Sequence, residues 1–436
     1  MESVYIPPTE LPRVVVIGAG FAGIHLVKKL CNTGFQVIIV DKNNFHQFPP
    51  LFYQVATSGL EPDAISFALR KMFRNSDNVF FHMADVEGVD LEARHLLTSI
   101  GCISYDHLVI ATGTTNNFFG LDQLQKNALG LKSIQQALSV RSAILQNLES
   151  ATNTNNDDLR KSLTNIVICG GGPAGVELAG AFAEFKQYIF EKDYKELNCD
   201  LLQIYLIEAN GELLKAMSDK SSINAKKVLE NNGVKVLLNT FVTDFDGTTV
   251  MLGDGSTIAS ENLIWAAGVK GNLIHGFEKE IVKGNRLRVD RQFRVMGTEN
   301  VYAIGDIACM DEEHWPNGHP QVASAAIQHG KFLGNLFLKN FPIDLSFSYF
   351  DKGQLATIGK KNAVLDKGKF HVSGIIGWFL WATVHLYSLS GFKSKLRVGL
   401  NWANSYFSYD KQNRLIIRKY ESKVVKAELM TDKSAD

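Results

Sequence analysis

Two glycine-rich turns of the same type constrain this chain more than any other feature of its sequence. The first, GAGFAG at residues 18–23, follows an apolar run at 14–17, and the second, GGGPAG at residues 170–175, follows another at 166–169. A strand that enters such a turn and then a helix presents backbone N–H groups to a pyrophosphate, because glycine leaves the approach open and the helix N-terminus attracts negative charge. Two such turns predict two bound dinucleotides.

An acidic residue follows each turn where a ribose partner is expected. Asp41 ends the apolar run that begins at Gln36, and Glu208 ends the run that begins at Gln203, later than usual because residues 185–200 form an insert. A carboxylate accepts from a free ribose 2′-OH and repels a 2′-phosphate. Because no arginine stands beside Glu208, the sequence favours NADH over NADPH at the second turn.

Composition excludes several classes of function. The 436 residues carry 45 Lys plus Arg and 45 Asp plus Glu, so no net field attracts nucleic acid. The five cysteines form no CxxC pair and no metal-ligand spacing, which predicts buried thiols and no metal site; they are Cys31, Cys102, Cys169, Cys199 and Cys309. Residues 1–12 contain no secretory signal, so we expect the enzyme to lie on the cytoplasmic side.

Later segments repeat the same organisation. Strand-like runs end in small residues at 111–114 and at 266–268, which indicates an internal duplication, and a strand ending at Gly305 and Asp306 returns to complete the first half. We predict an α/β fold with two Rossmann-like dinucleotide-binding domains. The predicted boundaries are 1–125 with 280–342 for the discontinuous FAD domain, 126–279 for the inserted NADH domain and 343–436 for a carboxy-terminal region. Residues 44–57 and 150–158 are predicted to be loops.

The carboxy-terminal region changes character. The apolar run at 374–384 is shorter than the roughly 20 residues that span a bilayer. Residues 398–407, which include Trp402, Tyr406 and Phe407, interleave aromatic rings with asparagine after Lys393, Lys395 and Arg397. Such a segment favours the membrane interface. The alternative is an ordinary core or dimer helix.

These motifs resemble those of the type II NADH dehydrogenases, single-subunit flavoproteins that move electrons from NADH to membrane quinone without pumping protons. The specific matches are GAGFAG with Asp41, FPPLFYQVAT at 48–57, ATG at 111–113, GGGPAGVELAG at 170–180, WAAGV at 265–269 and IGD at 304–306.

The resemblance implies the cofactors FAD and NADH and a set of site residues. FAD would contact Gly18, Gly20, Gly23, Asp41, Gln54, Val86, Ala111, Thr112, Gly113, Gly305, Asp306 and Val322. NADH would contact Gly170, Gly172, Gly175, Glu208 and Gly268. Glu177 would lie beside the nicotinamide and flavin, although a first-turn acid that complements the helix dipole is the simpler interpretation.

One position departs from the family pattern. The helix after the Gly-Asp strand usually carries two glutamines that face the quinone, in the order AQxAxQ, whereas this chain has ASAAIQ at 323–328. Gln328 is kept and Ser324 replaces the other glutamine. The shorter hydroxyl implies a quinone contact through water, or through Gln321 just ahead of the motif.

Three other functions fit parts of the pattern. A sulfide:quinone reductase shares the scaffold but needs a reactive cysteine pair, and a soluble ferredoxin or disulfide reductase would lack the aromatic carboxy-terminal segment. An NADH-binding sensor that docks on membranes or partners with little turnover would keep the nucleotide motifs. The sequence leaves open which quinone, menaquinone or ubiquinone, is used and whether the protein is a homodimer.

Overall fold

A computed structural model describes residues 3–408 and 413–421, with the backbone alone at 405–408. The chain divides into two compact units. The first unit contains residues 1–47, 66–115 and 269–352, and the second contains residues 48–65, 116–268 and 353–436. The three-part domain division drawn from the sequence remains a prediction, and each unit is described by itself.

The elements follow one another in chain order. The strands are β1 Arg13–Ile17, β2 Gln36–Asp41, β3 Phe45–Gln47, β4 Ser66–Ala68, β5 Val79–Met83, β6 Val86–Asp90, β7 His95–Thr98, β8 Gly101–Ser104, β9 His107–Ile110, β10 Thr114–Asn116, β11 Leu129–Gly130, β12 Ile166–Cys169, β13 Ile204–Ile207, β14 Val234–Leu237, β15 Val242–Phe245, β16 Thr249–Leu252, β17 Thr257–Ala259, β18 Asn262–Trp265, β19 Val269–Gly271, β20 Val282–Lys283, β21 Arg286–Val289, β22 Val301–Ala303, β23 Ala308–Met310, β24 Gln354–Gly359, β25 Asn362–Lys367 and β26 Phe370–Ser373. The α-helices are α1 Phe21–Leu30, α2 Phe52–Ala56, α3 Leu69–Met72, α4 Asp122–Asn127, α5 Ile134–Thr152, α6 Asp157–Thr164, α7 Pro173–Phe185, α8 Glu191–Asp193, α9 Asp219–Asn231, α10 Ala323–Leu338, α11 Gly374–Ser388 and α12 Phe392–Ser408.

A five-stranded parallel sheet in the order β22-β9-β1-β2-β5 forms the centre of the first unit. Its central strand β1 is almost fully buried, as expected for a β-branched run covered on both faces. Helices α1 and α10 pack together through Gly330, where an added Cβ would lie 2.2 Å from the Ala22 carbonyl oxygen. The small residues of α10 therefore bring its backbone against the helix that follows the first glycine turn.

The second unit contains a parallel sheet in the order β11-β18-β12-β13-β14. Helix α7 leaves β12 and packs on the antiparallel sheet β24-β25-β26, where Gly180 lies so close that a Cβ would be 2.7 Å from the Ile358 carbonyl oxygen. Helix α11 packs on β25 in the same way through Gly377. The carboxy-terminal helices are thus anchored to the unit that holds the second glycine turn.

The two loop predictions were wrong in extent. Residues 44–57 contain β3 and α2, joined by a 3-10 turn at Pro49–Leu51 that begins with proline in its first helical positions. Residues 150–158 contain only a short loop, because α5 continues to Thr152 and Asn156 caps α6 by accepting from the N–H groups of residues 158 and 159. In residues 44–57 the many aromatic residues gave no helical or strand periodicity. In residues 150–158 the polar residues typical of a loop include the asparagine that caps α6.

Within the described ranges, none of the helices has the length and apolarity that crossing a bilayer requires.

Candidate active site

The first glycine turn has a shape that only glycine permits. Gly18 has φ +99°, and a Cβ there would lie 2.4 Å from the Ala111 carbonyl oxygen. A Cβ on Gly23 would lie 2.0 Å from the Gly18 carbonyl oxygen, whereas a Cβ on Gly20 would meet open space. The turn is therefore packed tightly on the sheet side and open on the side where a ligand would approach.

Asp41 closes this turn from the neighbouring strand. One carboxylate oxygen accepts from the Ala19 N–H at 2.8 Å and the other accepts from the Asn43 N–H at 2.7 Å. Burial raises the pKa of Asp41, and these hydrogen bonds partly oppose the increase. Val86 begins β6 two residues after Ala84, whose N–H donates to the Asp41 carbonyl oxygen, and it is half-buried.

The end of β9 forms a second open edge in the first unit. Ala111 donates to the Ile17 carbonyl oxygen, which ties it to the strand before the glycine turn. The Thr112 hydroxyl donates to the Asn272 carbonyl oxygen at 2.7 Å, and the Asn272 N–H donates to the Gly113 carbonyl oxygen at 2.9 Å. Gly113 has φ +66° and open space where a side chain would be.

The Gly305–Asp306 turn lies in the same unit. Gly305 is buried with φ +74°, and Thr114 donates to an Asp306 carboxylate oxygen at 3.4 Å. Gln321 donates its amide N–H to the Asp306 carbonyl oxygen at 3.0 Å. Val322 precedes α10 and its side chain is 39% exposed. Gln321 therefore holds the backbone of the Gly-Asp turn.

The residues expected to face a quinone have partners inside the first unit. The Gln328 amide donates to the carbonyl oxygens of Ser324 and Phe350, at 3.1 and 2.9 Å, and its oxygen accepts from the Phe350 N–H. The Ser324 hydroxyl lies 3.4 Å from the Tyr349 hydroxyl. Both amide N–H groups of Gln328 are therefore already paired with backbone, while Ser324 has a short reach and a phenolic neighbour.

The second glycine turn repeats the geometry of the first. Gly170 has φ +115° and packs on the backbone of residues 266 and 267, and a Cβ on Gly175 would lie 1.8 Å from the Gly170 carbonyl oxygen. A Cβ on Gly172, the residue that caps α7, would meet open space. Gly268 has φ +83° and lies against the Phe119 ring. The turn again leaves one side open.

Glu208 closes the second turn as Asp41 closes the first. One of its oxygens accepts from the Gly171 N–H at 2.6 Å, and the other accepts from the backbone and side-chain N–H groups of Asn210 at 2.7 and 2.5 Å. Lys215 donates to the Asn210 side-chain oxygen. The carboxylate is therefore held in one orientation beside the turn.

Glu177 lies on the second turn of α7 and is buried, so the interpretation of it as a first-turn acid was wrong. Burial raises its pKa to about 8, and interactions with the Thr357 N–H and the Trp381 indole lower it in part. Thr357 donates to the carboxylate at 3.4 Å, whereas the Trp381 indole N–H is buried without an aligned acceptor. At pH 7 the carboxyl group is therefore mostly protonated and can donate a hydrogen bond or a proton.

A group of aromatic residues that the sequence did not predict to lie together begins at Trp381 and Tyr53, which interact with this carboxyl group, and continues within the second unit. Trp402 donates its indole N–H to the Gln54 side-chain oxygen at 2.8 Å, and Gln54 donates to the Tyr53 hydroxyl at 2.8 Å. The Trp381 and Trp402 rings lie 5.0 Å apart, and His385 stacks on Trp381 at 4.3 Å. Periodicity and motifs in the sequence do not relate α11 and α12 to α2, so this cluster depends on the tertiary structure.

The five cysteines form no disulfide. All five are free, burial raises the pKa of Cys169 to about 12, and burial also raises the pKa of Cys309. Neither thiol is a thiolate at neutral pH, so neither has the reactivity that a disulfide or sulfide reductase requires. No group of metal-binding side chains occurs among the residues for which the structure gives positions.

Two family models and several known proteins are similar to this chain. Residues 12–330 match the family model of the pyridine nucleotide-disulphide oxidoreductases, and residues 352–408 match that of the NDH2 C-terminal domain. The type II NADH:quinone oxidoreductase Ndh of Mycobacterium tuberculosis is 32% identical over 422 residues, covering 92% of this chain and 89% of that protein. The chain belongs to the type II NADH:quinone oxidoreductase family.

Further relatives and solved structures are similar to this chain over most of its length. The internal alternative NAD(P)H-ubiquinone oxidoreductase A1 of Arabidopsis thaliana mitochondria is 27% identical, covering 90% of this chain and 86% of the relative. The NDH2 structure from Plasmodium falciparum in complex with NADH aligns with a TM-score of 0.84 at 22% identity, covering 93% of this chain and all of that one. The sulfide:quinone oxidoreductase of Aquifex aeolicus has a TM-score of 0.66 at 16% identity, covering 96% and 95% of the two chains, so the wider fold is shared.

Proposed function

We propose that this chain is an FAD-dependent NADH:quinone oxidoreductase that does not pump protons. The observation that carries the proposal is the presence of two glycine turns, each open on one side and each closed by its own carboxylate, Asp41 or Glu208. When bound, FAD supplies the redox chemistry, taking a hydride from NADH and passing two electrons to quinone. The protein residues bind and orient FAD and NADH and exclude water from them.

FAD fits the first unit. The open space at Gly20 and Gly113 gives the backbone room to approach a bulky group, and Asp41 supplies a carboxylate for a ribose. We assign FAD binding to the residues of this unit that the resemblance named: Gly18, Gly20, Gly23, Asp41, Val86, Ala111, Thr112, Gly113, Gly305, Asp306 and Val322. The assignment of Gln54, which belongs to the second unit, rests on the resemblance alone. Gly305 and Asp306 would act through the turn that Gln321 holds.

NADH fits the second glycine turn. Gly172 leaves the N-terminus of α7 open for a pyrophosphate, and Glu208 presents a fixed carboxylate where a ribose would lie. A 2′-phosphate would bring negative charge against that carboxylate, so we propose a preference for NADH over NADPH. Gly170, Gly175 and Gly268 shape the site by permitting close backbone contact.

We propose Glu177 as the proton donor or relay. Its carboxyl group is buried, and its raised pKa keeps it protonated near neutral pH. A quinone that receives two electrons also takes up two protons, so a buried acid with a pKa near the working pH is suited to donate one. The aromatic rings of Trp381, His385 and Trp402 exclude water from the side of the second unit that holds this acid.

We propose that Gln321, just before α10, and Ser324 and Gln328, on α10, form the region that a quinone approaches. Since Gln328 already donates both amide protons to backbone, its part is to hold the segment at Phe350 in place. The half-buried Ser324 hydroxyl lies beside the Tyr349 hydroxyl, and we propose that it meets a quinone carbonyl through water where a longer glutamine would reach it directly. The acceptor is a membrane quinone, menaquinone or ubiquinone.

We propose that α11 and α12 rest on the membrane surface as a peripheral anchor on the cytoplasmic face. Tyr387 is 83% exposed and lies on the same pair of helices as other exposed apolar side chains, namely Ile375, Ile376, Phe379, Val384, Phe392, Leu396 and Leu400. Trp381 and Trp402 are buried on the opposite side. Lys393 and Lys395 add positive charge suited to anionic lipid. The side chains of Tyr406 and Phe407 lie outside the described residues.

Binding to anionic vesicles tests this anchor. Replacing Ile376, Phe379 and Leu400 with serine removes exposed apolar area and should release the protein into the supernatant after sedimentation with the vesicles. A matched triple substitution at exposed Ile223, Phe241 and Met251, which lie away from these helices in sequence, should leave sedimentation unchanged. If the first variant sediments normally but no longer dimerises, the exposed face is a homodimer contact instead.

Spectroscopy and turnover test the reaction. Purified protein should be yellow, NADH should bleach its visible absorbance, and menaquinone or ubiquinone analogues should restore the colour with NADH consumption. Flavin that NADH does not bleach would instead indicate an NADH-binding sensor. Colourless protein without NADH:quinone turnover after incubation with FAD would overturn the proposal.

A further inference from the structure

Two buried histidines connect the Gly305–Asp306 turn to an acidic residue in the loop before α10. The Gly305 N–H donates to His329 Nδ1 at 3.1 Å, and His329 Nε2 lies 3.2 Å from His319 Nδ1. His319 Nε2 then lies 3.3 Å from a Glu312 carboxylate oxygen, without the alignment of a full hydrogen bond. Each imidazole is 1% exposed, and all four residues belong to the first unit.

The partners at the two ends fix where the protons lie. A backbone N–H can only donate, so His329 Nδ1 must accept and the proton of the neutral ring must be on Nε2. That proton points to His319 Nδ1, which must then accept, so the His319 proton is also on Nε2 and faces Glu312. A carboxylate can only accept. One arrangement, in which both rings are neutral and protonated on Nε2, therefore satisfies the hydrogen bonds of Gly305, His329, His319 and Glu312, which we call the histidine row.

The surroundings keep both rings neutral. The Phe293 and Phe347 rings lie 4.6 and 5.0 Å from the His329 ring. Burial is the largest cause that lowers the pKa of each histidine, and the Arg286 guanidinium lowers it further. The charged and titratable groups that face the pair are Arg286, Arg291, Glu312 and Tyr349. Only Glu312 opposes the decrease, and its effect is confined to His319.

We propose that His329, His319 and Glu312 are positioning residues that set the geometry of the Gly305–Asp306 turn for FAD. The inference rests on the proposed FAD site. Gly305 is buried in a left-handed conformation, so its N–H would be left without a partner if His329 were absent. Asp306 is the next residue, and its carboxylate direction follows from that peptide. Because the row ends on a backbone amide, it orients the turn and does not carry a proton to the cofactor.

The row predicts a pH dependence with a definite sign. A proton added to His329 would put an N–H on Nδ1 facing the Gly305 N–H, so one of the two donors would lose its acceptor. The folded pKa of each histidine lies below its value in an unfolded chain. Stability from the neutral row is therefore complete above about pH 6.5 and is lost as pH falls below that value. FAD release should accelerate only at a lower pH, where the histidines of the folded protein take up a proton, because the pKa of His329 lies well below 6.5.

Matched variants separate orientation from packing. His329→Leu removes the acceptor for Gly305, whereas His329→Asn places an amide oxygen close to the position of Nδ1 and keeps that acceptor. Flavin fluorescence that appears on dilution of the holoenzyme measures the FAD dissociation rate. We expect a rise of roughly tenfold in His329→Leu and a smaller rise in His329→Asn. Equal rates in the two variants, whether or not they exceed the wild-type rate, would overturn the proposal.

The far end of the row gives a variant that leaves the core intact. Glu312→Gln keeps an amide oxygen that can accept from His319 Nε2–H, and the Gly305 N–H still fixes the His329 proton from the other end, so both tautomers should persist; Glu313→Gln at the exposed neighbouring position is the control. Nitrogen-15 NMR of labelled histidines should show two neutral Nε2–H rings in the wild type and in both variants. A wild-type ring with its proton on Nδ1 would overturn the inference. Protein without FAD, but with these tautomers, would count against the proposed function and not against the row.

Discussion

Trp402 donates its indole N–H to the Gln54 side-chain oxygen across 2.8 Å, although the two residues are 348 positions apart. Gln54 lies on α2, in the segment whose FPPLFYQVAT pattern resembles the family's flavin loop, and Trp402 lies on α12. The helix that we propose rests on the membrane therefore also orients a side chain proposed to contact FAD. This hydrogen bond ties the carboxy-terminal region to α2 within the second unit.

Replacing Trp402 with phenylalanine should reduce turnover while FAD stays bound. The ring packing against Trp381 is largely kept, but the Gln54 oxygen loses its donor, which costs about 1 kcal/mol and slows quinone reduction roughly fivefold. Steady-state kinetics check this, with Trp378→Phe on α11 as the control. In a double-mutant cycle with Gln54→Leu, fully additive effects would show that the hydrogen bond does not matter.

Glu177→Gln should remove a pH dependence of stability. The folded pKa of about 8 lies above the usual value of 4.5, so the folded state holds a proton that the unfolded chain loses between these values. The free energy of unfolding of the wild type should therefore fall as pH rises from 5 to 8. This fall should exceed that of Glu177→Gln by up to about 1.4 kcal/mol per pH unit.

Melting temperatures of the holoenzyme at several pH values measure that difference. Glu191→Gln, at an exposed position after the same helix, is the control and should parallel the wild type. A Glu177→Gln variant whose melting temperature follows the wild type across this range would mean that the carboxyl group is ionised when folded. NADH:quinone turnover of the same variant should fall, because an amide cannot donate a proton to the acceptor.

Ser324→Gln should change the KM for quinone more than the KM for NADH. The longer side chain reaches past the Tyr349 hydroxyl and restores the second glutamine of the family motif, so a contact through water becomes direct. Ser324→Ala, which only removes the Tyr349 contact, is the control. If both KM values change by the same factor, Ser324 is not at the quinone site.

Glu208→Gln should relax the choice of nicotinamide. The amide has no negative charge to repel a 2′-phosphate, and it can accept only with its one oxygen, so binding of NADH weakens as well. We expect the ratio of NADPH to NADH in kcat/KM to rise about tenfold. Glu212→Gln, four positions on, should leave the ratio unchanged, and a ratio that also stays constant in Glu208→Gln would place the ribose elsewhere.

Some features could be predicted because their physical cause is local. A strand, a glycine turn and a helix N-terminus occupy consecutive residues, so the two turns, β1, β12, α7 and the acids at 41 and 208 were all visible in sequence. The structure confirms these strands, and the glycine geometry explains them, since a Cβ at Gly18 or Gly170 would overlap backbone. The prediction of a loop at 44–57 was wrong because the turn and the short helix there are set by proline and packing rather than by periodicity.

Other features depend on contacts between distant segments, which only the tertiary structure decides. Glutamate at position 177 was a candidate from its place after the glycine turn, but its protonation follows from burial against β24 and α11. Gln328 matched a motif, yet its amide is paired with Phe350. The sequence by itself determined which cofactors this protein is built to hold. Burial and long-range pairing decided the charge of Glu177, the partner of Gln54 and the histidine row behind Gly305, because desolvation and hydrogen-bond complementarity arise only when separate segments meet.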